Sequence, residues 1–207
     1  MVCRSLPVRA PGKCHCGERV NPKLINFVAF QVGWFACVLS AAHDMPWLGL
    51  LLVTVIVALH VQRASRPAHE ARLVFLASLF GIVFDSLLVA SGWVQYSSGM
   101  VLTNIAPYWI IAMWALFATT LNLSMSWLKN RLLLASVLGA IFGPLSYMAG
   151  QRLGAIEFID TSKATIALAL AWSVAMPLLM HAAGRTGGGR RPVTIEALHK
   201  IPAEAEQ

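Results

Sequence analysis

Hydrophobic residues along the chain fall into six long runs, at 24–42, 47–61, 71–92, 107–128, 132–150 and 164–183. A helix needs about 20 apolar residues to cross the hydrocarbon of a bilayer. The second run is at the short end of that range, and Trp47 marks its interfacial end. Polar and turn-forming residues separate the runs and never accumulate into a water-facing module. The pattern predicts an all-α fold: a polytopic membrane protein whose six transmembrane helices form one bundle over residues 23–184. Residues 1–22 read as a basic, disordered tail. Residues 185–207 read as a second basic tail, with a short surface helix at 193–207.

Composition agrees with that reading. The chain has 207 residues, 57% hydrophobic and 12% charged, and its mean hydropathy is +0.67. Soluble domains carry roughly 25% charged residues, so this chain lacks the charge for an aqueous surface. The net charge of +7 is informative through its placement. With the N-terminus inside, all but Arg152 and Lys163 of the 16 Lys and Arg fall on the cytosolic side of the six-helix count. Positive residues favour that side, so both termini are expected in the cytosol. The cations therefore describe a membrane topology, and no nucleic-acid partner is expected.

Cys3, Cys14 and Cys16 lie in the basic head and Cys37 in the first run, which is not a disulfide framework. Cys14-His15-Cys16 supplies at most half of a zinc site. No cofactor and no metal are expected. The chain has no G-x-S-x-G elbow, no H-E-x-x-H, no phosphate loop and no dinucleotide fingerprint.

The third and fifth runs resemble each other. LASLFGIVFDSL at 76–87 aligns without gaps on LASVLGAIFGPL at 134–145, with identity at six of twelve positions. Runs two and three thus read as one copy of a helix hairpin and runs four and five as the other, related by an axis along the membrane normal. Asp85 and Ser86 of one copy stand where the other has Gly143 and Pro144. Pro144 removes a backbone donor and is expected to kink its helix.

Asp85 is the exceptional residue. It lies about 21 Å into its run at ~1.5 Å per residue, with no Lys or Arg inside a predicted span. An acidic group at that depth is a functional-site candidate. A carboxyl held away from basic partners suits a hydrogen-bond donor, a general acid or a proton carrier. Pro144, Tyr147 and Trp114 fall at a similar depth. Trp114, Ala118 and Asn122 share one helix face, as do Gln31 and Trp34 on the first helix. The candidate site is therefore Asp85, Tyr147 and Asn122 as chemical groups, with Gln31, Trp34, Trp114, Ser86 and Pro144 as binding groups. The simplest alternative for Gln31 and Asn122 is a hydrogen bond between helices.

Several dispersed motifs then resemble one family. They are Phe30-Gln31-Val32-Gly33-Trp34 in the first helix and Asp85-Ser86-Leu87-Leu88 in the third. Leu116-Phe117-Ala118-Thr119-Thr120 follows in the fourth, and Gly143-Pro144-Leu145-Ser146-Tyr147 in the fifth. In this order they resemble an uncharacterised bacterial family of inner-membrane proteins, domain of unknown function 2878, over residues 26–183. The resemblance implies six helices in a bacterial inner (plasma) membrane and no particular activity.

The functional expectation is a membrane-embedded enzyme or accessory factor acting on a membrane lipid or small amphipathic ligand around Asp85. Two alternatives stand beside it: a small proton-coupled permease or exporter, and a structural or assembly partner. Nothing in the sequence sets the oligomeric state.

Overall fold

The computed structural model describes residues 21–186. Cys14, His15 and Cys16, the rest of the basic head, the basic C-terminal tail and the helix expected at 193–207 lie outside the described residues. The described chain forms six α-helices: α1 (Pro22–Ala42), α2 (Pro46–Arg63), α3 (Pro67–Ala90), α4 (Tyr108–Leu121), α5 (Leu132–Arg152) and α6 (Thr161–Thr186). Two short strands join them, β1 (Val94–Tyr96) after α3 and β2 (Ile156–Phe158) after α5.

Local chemistry sets the helix ends. Pro22, Pro46 and Pro67 each open a helix, at positions where the missing N–H has no intrahelical partner to lose. Asn21 caps α1 by accepting the Lys23 amide at 3.0 Å. Gly92 and Gly154 follow α3 and α5 at φ +71° and +86°, a backbone region that costs glycine little.

Five of the helices are long and apolar enough to cross a membrane. α4 has 14 residues, about 21 Å of rise, and the expected run 107–128 does not continue as one helix. It stops at Leu121, and Ser126–Leu128 form a separate 3-10 turn. Thr119 and Thr120 turn their hydroxyls back onto the carbonyls of Leu116 and Phe117, both at 2.7 Å. Such bonds compete with the helical ladder. The Asn122 side chain, just beyond, is drawn away to Glu70 and Lys129. Pro144, by contrast, sits inside α5 without ending it.

α4 is the axis of the bundle. It packs against α1, α2, α3 and α6, and Trp109, Ile110, Trp114, Leu116 and Ala118 are buried along it. Its neighbours are apolar on the outside: Phe75 is 65% and Leu133 81% exposed. An exterior of that kind is matched to lipid rather than water. Small residues permit the close approaches that lipid-embedded helices depend on. A Cβ at Gly81 would overlap the Trp114 indole, and one at Gly143 the Trp172 indole.

The strands lay outside the sequence expectation. β1 pairs antiparallel with β2, Val94 opposite Phe158, Gln95 opposite Glu157 and Tyr96 opposite Ile156. Each strand follows one of the two similar helices. The strands close one end of the bundle, the strand face. The α2–α3 and α4–α5 connections close the other, the turn face.

Candidate functional site

Asp85 is fully buried and has three hydrogen-bond partners from three different elements. Tyr96 of β1 donates its phenol to Oδ1 at 2.7 Å. Tyr147 of α5 donates to the same oxygen at 2.6 Å. Trp114 of α4 donates its indole N–H to Oδ2 at 2.7 Å. The chain has three tyrosines, and two of them serve this carboxyl. Among the described residues no basic side chain forms an ion pair with it, and these hydrogen bonds compensate its removal from solvent.

Beside this cluster lies a cavity of about 550 Å³, bounded by α1, α4, α5 and α6. That volume is in the range of small-molecule sites. Gln31 and Trp34 line it from α1, Trp114 and Phe117 from α4, Tyr147 from α5 and Trp172 from α6. The Trp114 and Trp172 rings stack at 4.7 Å between centroids and 12° between planes. Phe117 meets Trp172 edge-on at 5.3 Å.

Among the described residues α1 and α5 do not pack closely on each other, and the cavity lies between them. Phe142 and Trp127 belong to its lining and are more than half exposed. The cavity therefore opens sideways, toward the lipid-facing exterior. Among the described residues no lysine, arginine or histidine lines it.

The candidates from the sequence separate into three places. Asp85, Trp114 and Tyr147 come together. Gln31 and Trp34 join Trp114 and Tyr147 on the cavity wall, but Asp85 is not on that wall. It stands behind, holding the polar ends of two wall residues. Ser86 accepts the Ala106 amide at 3.0 Å and anchors the loop before α4, and Pro144 is buried in α5 off the cavity lining.

Asn122 is on the turn face, where it donates to Glu70 at 2.7 Å and accepts from Lys129. His60 lies 3.4 Å from the same Glu70 carboxylate. Partial burial holds the Lys129 ammonium below the ordinary lysine range, and the Glu70 charge opposes that shift. Nearby, Asn26 donates to the Thr119 carbonyl at 3.2 Å and accepts from Ser124 at 2.7 Å. These groups tie helix ends together; none lines the cavity.

Tyr96 and Trp172 are the site residues that the sequence reading did not nominate. Tyr96 falls between two apolar runs and carries no depth signal of its own. Trp172 had one: it stands 58 residues after Trp114, the same offset that separates the two similar helices. Among the described residues no three His, Cys, Asp or Glu side chains gather as a metal site.

The family model described as a protein of unknown function, DUF2878, matches residues 23–178. The chain belongs to that family, as the dispersed motifs implied. No curated protein and no solved structure matches it.

Proposed function

We propose that this DUF2878 protein holds a lipid or small amphipathic molecule in the cavity between α1, α4, α5 and α6. It does so as a membrane-embedded accessory factor or enzyme of a bacterial inner membrane, with both termini cytosolic. One observation carries the reading: a cavity of about 550 Å³ with an aromatic wall, bounded by two helices that leave a gap toward lipid. A hydrocarbon chain gains dispersion contacts against such a wall without leaving an apolar medium.

Asp85 then acts through its neighbours. Two of its three donors, Trp114 and Tyr147, present their rings to the cavity while their polar atoms are spent on the carboxyl. This fixes the wall in one arrangement, as a binding site requires of its supporting residues. The geometry supports a positioning role for Asp85 more than direct proton transfer to a ligand. It favours a proton-coupled exporter less, because the carboxyl is fully buried and both oxygens are engaged.

Native mass spectrometry of the protein released from its own membrane tests the proposal. The expected result is a retained lipid of one class, absent from Leu138→Trp, which fills part of the cavity. Retention of no lipid, or an unchanged lipid in Leu138→Trp, would count against it. Whole-lipid profiles of a deletion strain would then show in which class the change falls.

A further inference from the structure

The indole N–H of Trp172 is, among the described residues, the buried side-chain polar atom that has no hydrogen-bond partner. Its stacking partner Trp114 has the same group satisfied, by Asp85. The position corresponding to Asp85 in the second copy is Gly143, which brings no acceptor. The Trp172 indole rests directly over it. Asp85 of α3 supplies a carboxylate to Trp114, and Gly143 of α5 supplies nothing to Trp172.

Buried donors without acceptors are rare in folded proteins and call for an explanation. Trp172 also lines the cavity. An indole N–H donates and cannot accept, so its complement is an acceptor. Among the described residues no cation lines the cavity to neutralise a phosphate or carboxylate placed there, and an uncompensated charge is strongly disfavoured in such surroundings. The acceptor is therefore neutral.

From these observations we infer that Trp172 Nε1 donates to a neutral carbonyl oxygen on the amphipath in the cavity, an ester or ketone flanked by hydrocarbon. This rests on the cavity being a lipid site. Gln31 adds an amide to the same wall. The N–H is covered by neighbouring atoms, and Met113, Met125 and Met176 are among the residues that line the cavity. Unbranched thioether chains shift readily, and their movement uncovers the donor as the ligand enters.

The test measures binding of three neutral probes to the purified full chain in detergent. They are a dioleoylglycerol with ester carbonyls, its dioleyl ether analogue without them, and a long-chain prenylated benzoquinone with ketone carbonyls. One hydrogen bond predicts that at least one carbonyl probe binds roughly five- to tenfold tighter than the ether. Which one does so separates an ester lipid from a quinone. Trp172→Phe keeps an aromatic ring, removes the unpaired donor and also trims the indole that stacks on Trp114. Because Trp172 also lines the cavity, the readout is the ratio of carbonyl to ether affinity rather than either affinity alone, and that ratio is expected to fall to about one in the variant.

Equal binding of all three probes by the unmodified chain would overturn the inference and leave the cavity reading standing. A carbonyl preference that persists in Trp172→Phe would do the same. Binding of none would overturn the cavity reading and this inference with it.

Discussion

Tyr147 and Asp85 lie in different helices and meet with 2.6 Å between phenol oxygen and Oδ1. Tyr96 reaches that same oxygen from outside the helices. Two phenols converging on one carboxyl oxygen, with an indole on the other, tie α3, α4, α5 and β1 together at one point. The bundle should depend on that point more than on any single apolar contact.

Asp85→Leu leaves two phenols and an indole N–H buried without acceptors. An unpaired buried donor costs about 1–3 kcal/mol, so a loss of roughly 3 kcal/mol or more is expected for the three. Asp85→Asn keeps one acceptor oxygen and turns an NH₂ toward a donor; its expected loss is about 1–3 kcal/mol. Thermal unfolding in detergent gives the order wild type, then Asn, then Leu. If Asp85→Leu melts with the wild type, the carboxyl does not hold the wall.

Tyr147→Phe and Tyr96→Phe separate stability from binding. Each removes one hydrogen bond to Oδ1, a loss of about 1 kcal/mol. Because they share an acceptor, a double-mutant cycle should give a non-zero coupling. Tyr147 lines the cavity and Tyr96 does not. Tyr147→Phe is therefore expected to change the amount of lipid retained, and Tyr96→Phe to leave it near the wild-type level. Equal effects on retained lipid would remove the distinction between wall and support.

Gly143 is a packing requirement of α5 on α6. A single methyl there overlaps the Trp172 indole, and overpacking of this kind costs typically about 1–3 kcal/mol. Gly184, also within a helix, has nothing near the position of an added Cβ. Gly184→Ala should be neutral or gain up to about 1 kcal/mol from helix propensity. Unfolding midpoints for the two alanine variants should move apart, with Gly143→Ala lower. Coincident midpoints would mean that Trp172 gives way freely.

Sequence pattern reached the helices because apolar runs of bilayer length have few other uses. It misplaced the end of α4 because Thr119 and Thr120 bond back onto the carbonyls of Leu116 and Phe117, while Asn122 is held by Glu70 and Lys129 from outside the helix. Asp85 and its partners Trp114 and Tyr147 were legible through depth alone. Depth could not show that the carboxyl stands behind the cavity wall, because that depends on which side of α3 meets α4. Tyr96 was illegible for a different reason. Its position is set by strand pairing with Ile156, a contact between connections that no helical periodicity reports.

Orientation in the membrane is the remaining prediction, and the two ends of the bundle allow a direct reading. Gln95 is exposed on the strand face and Ser65 is exposed between α2 and α3 on the turn face. Apart from Arg152 and Lys163, the Lys and Arg residues fall on the turn-face side of the chain or in the tails, which the positive-inside rule assigns to the cytosol. Cys37 is buried in α1 and Cys3, Cys14 and Cys16 precede the first helix, so a membrane-impermeant thiol reagent should leave the parent chain unlabelled in intact cells. Gln95→Cys should label from outside, and Ser65→Cys only after the membrane is opened. The reverse pattern would turn the bundle over. It would place the sideways cavity mouth in the opposite leaflet while leaving the packing around Asp85 unchanged, because that packing is internal to the helices and does not depend on which compartment each end meets.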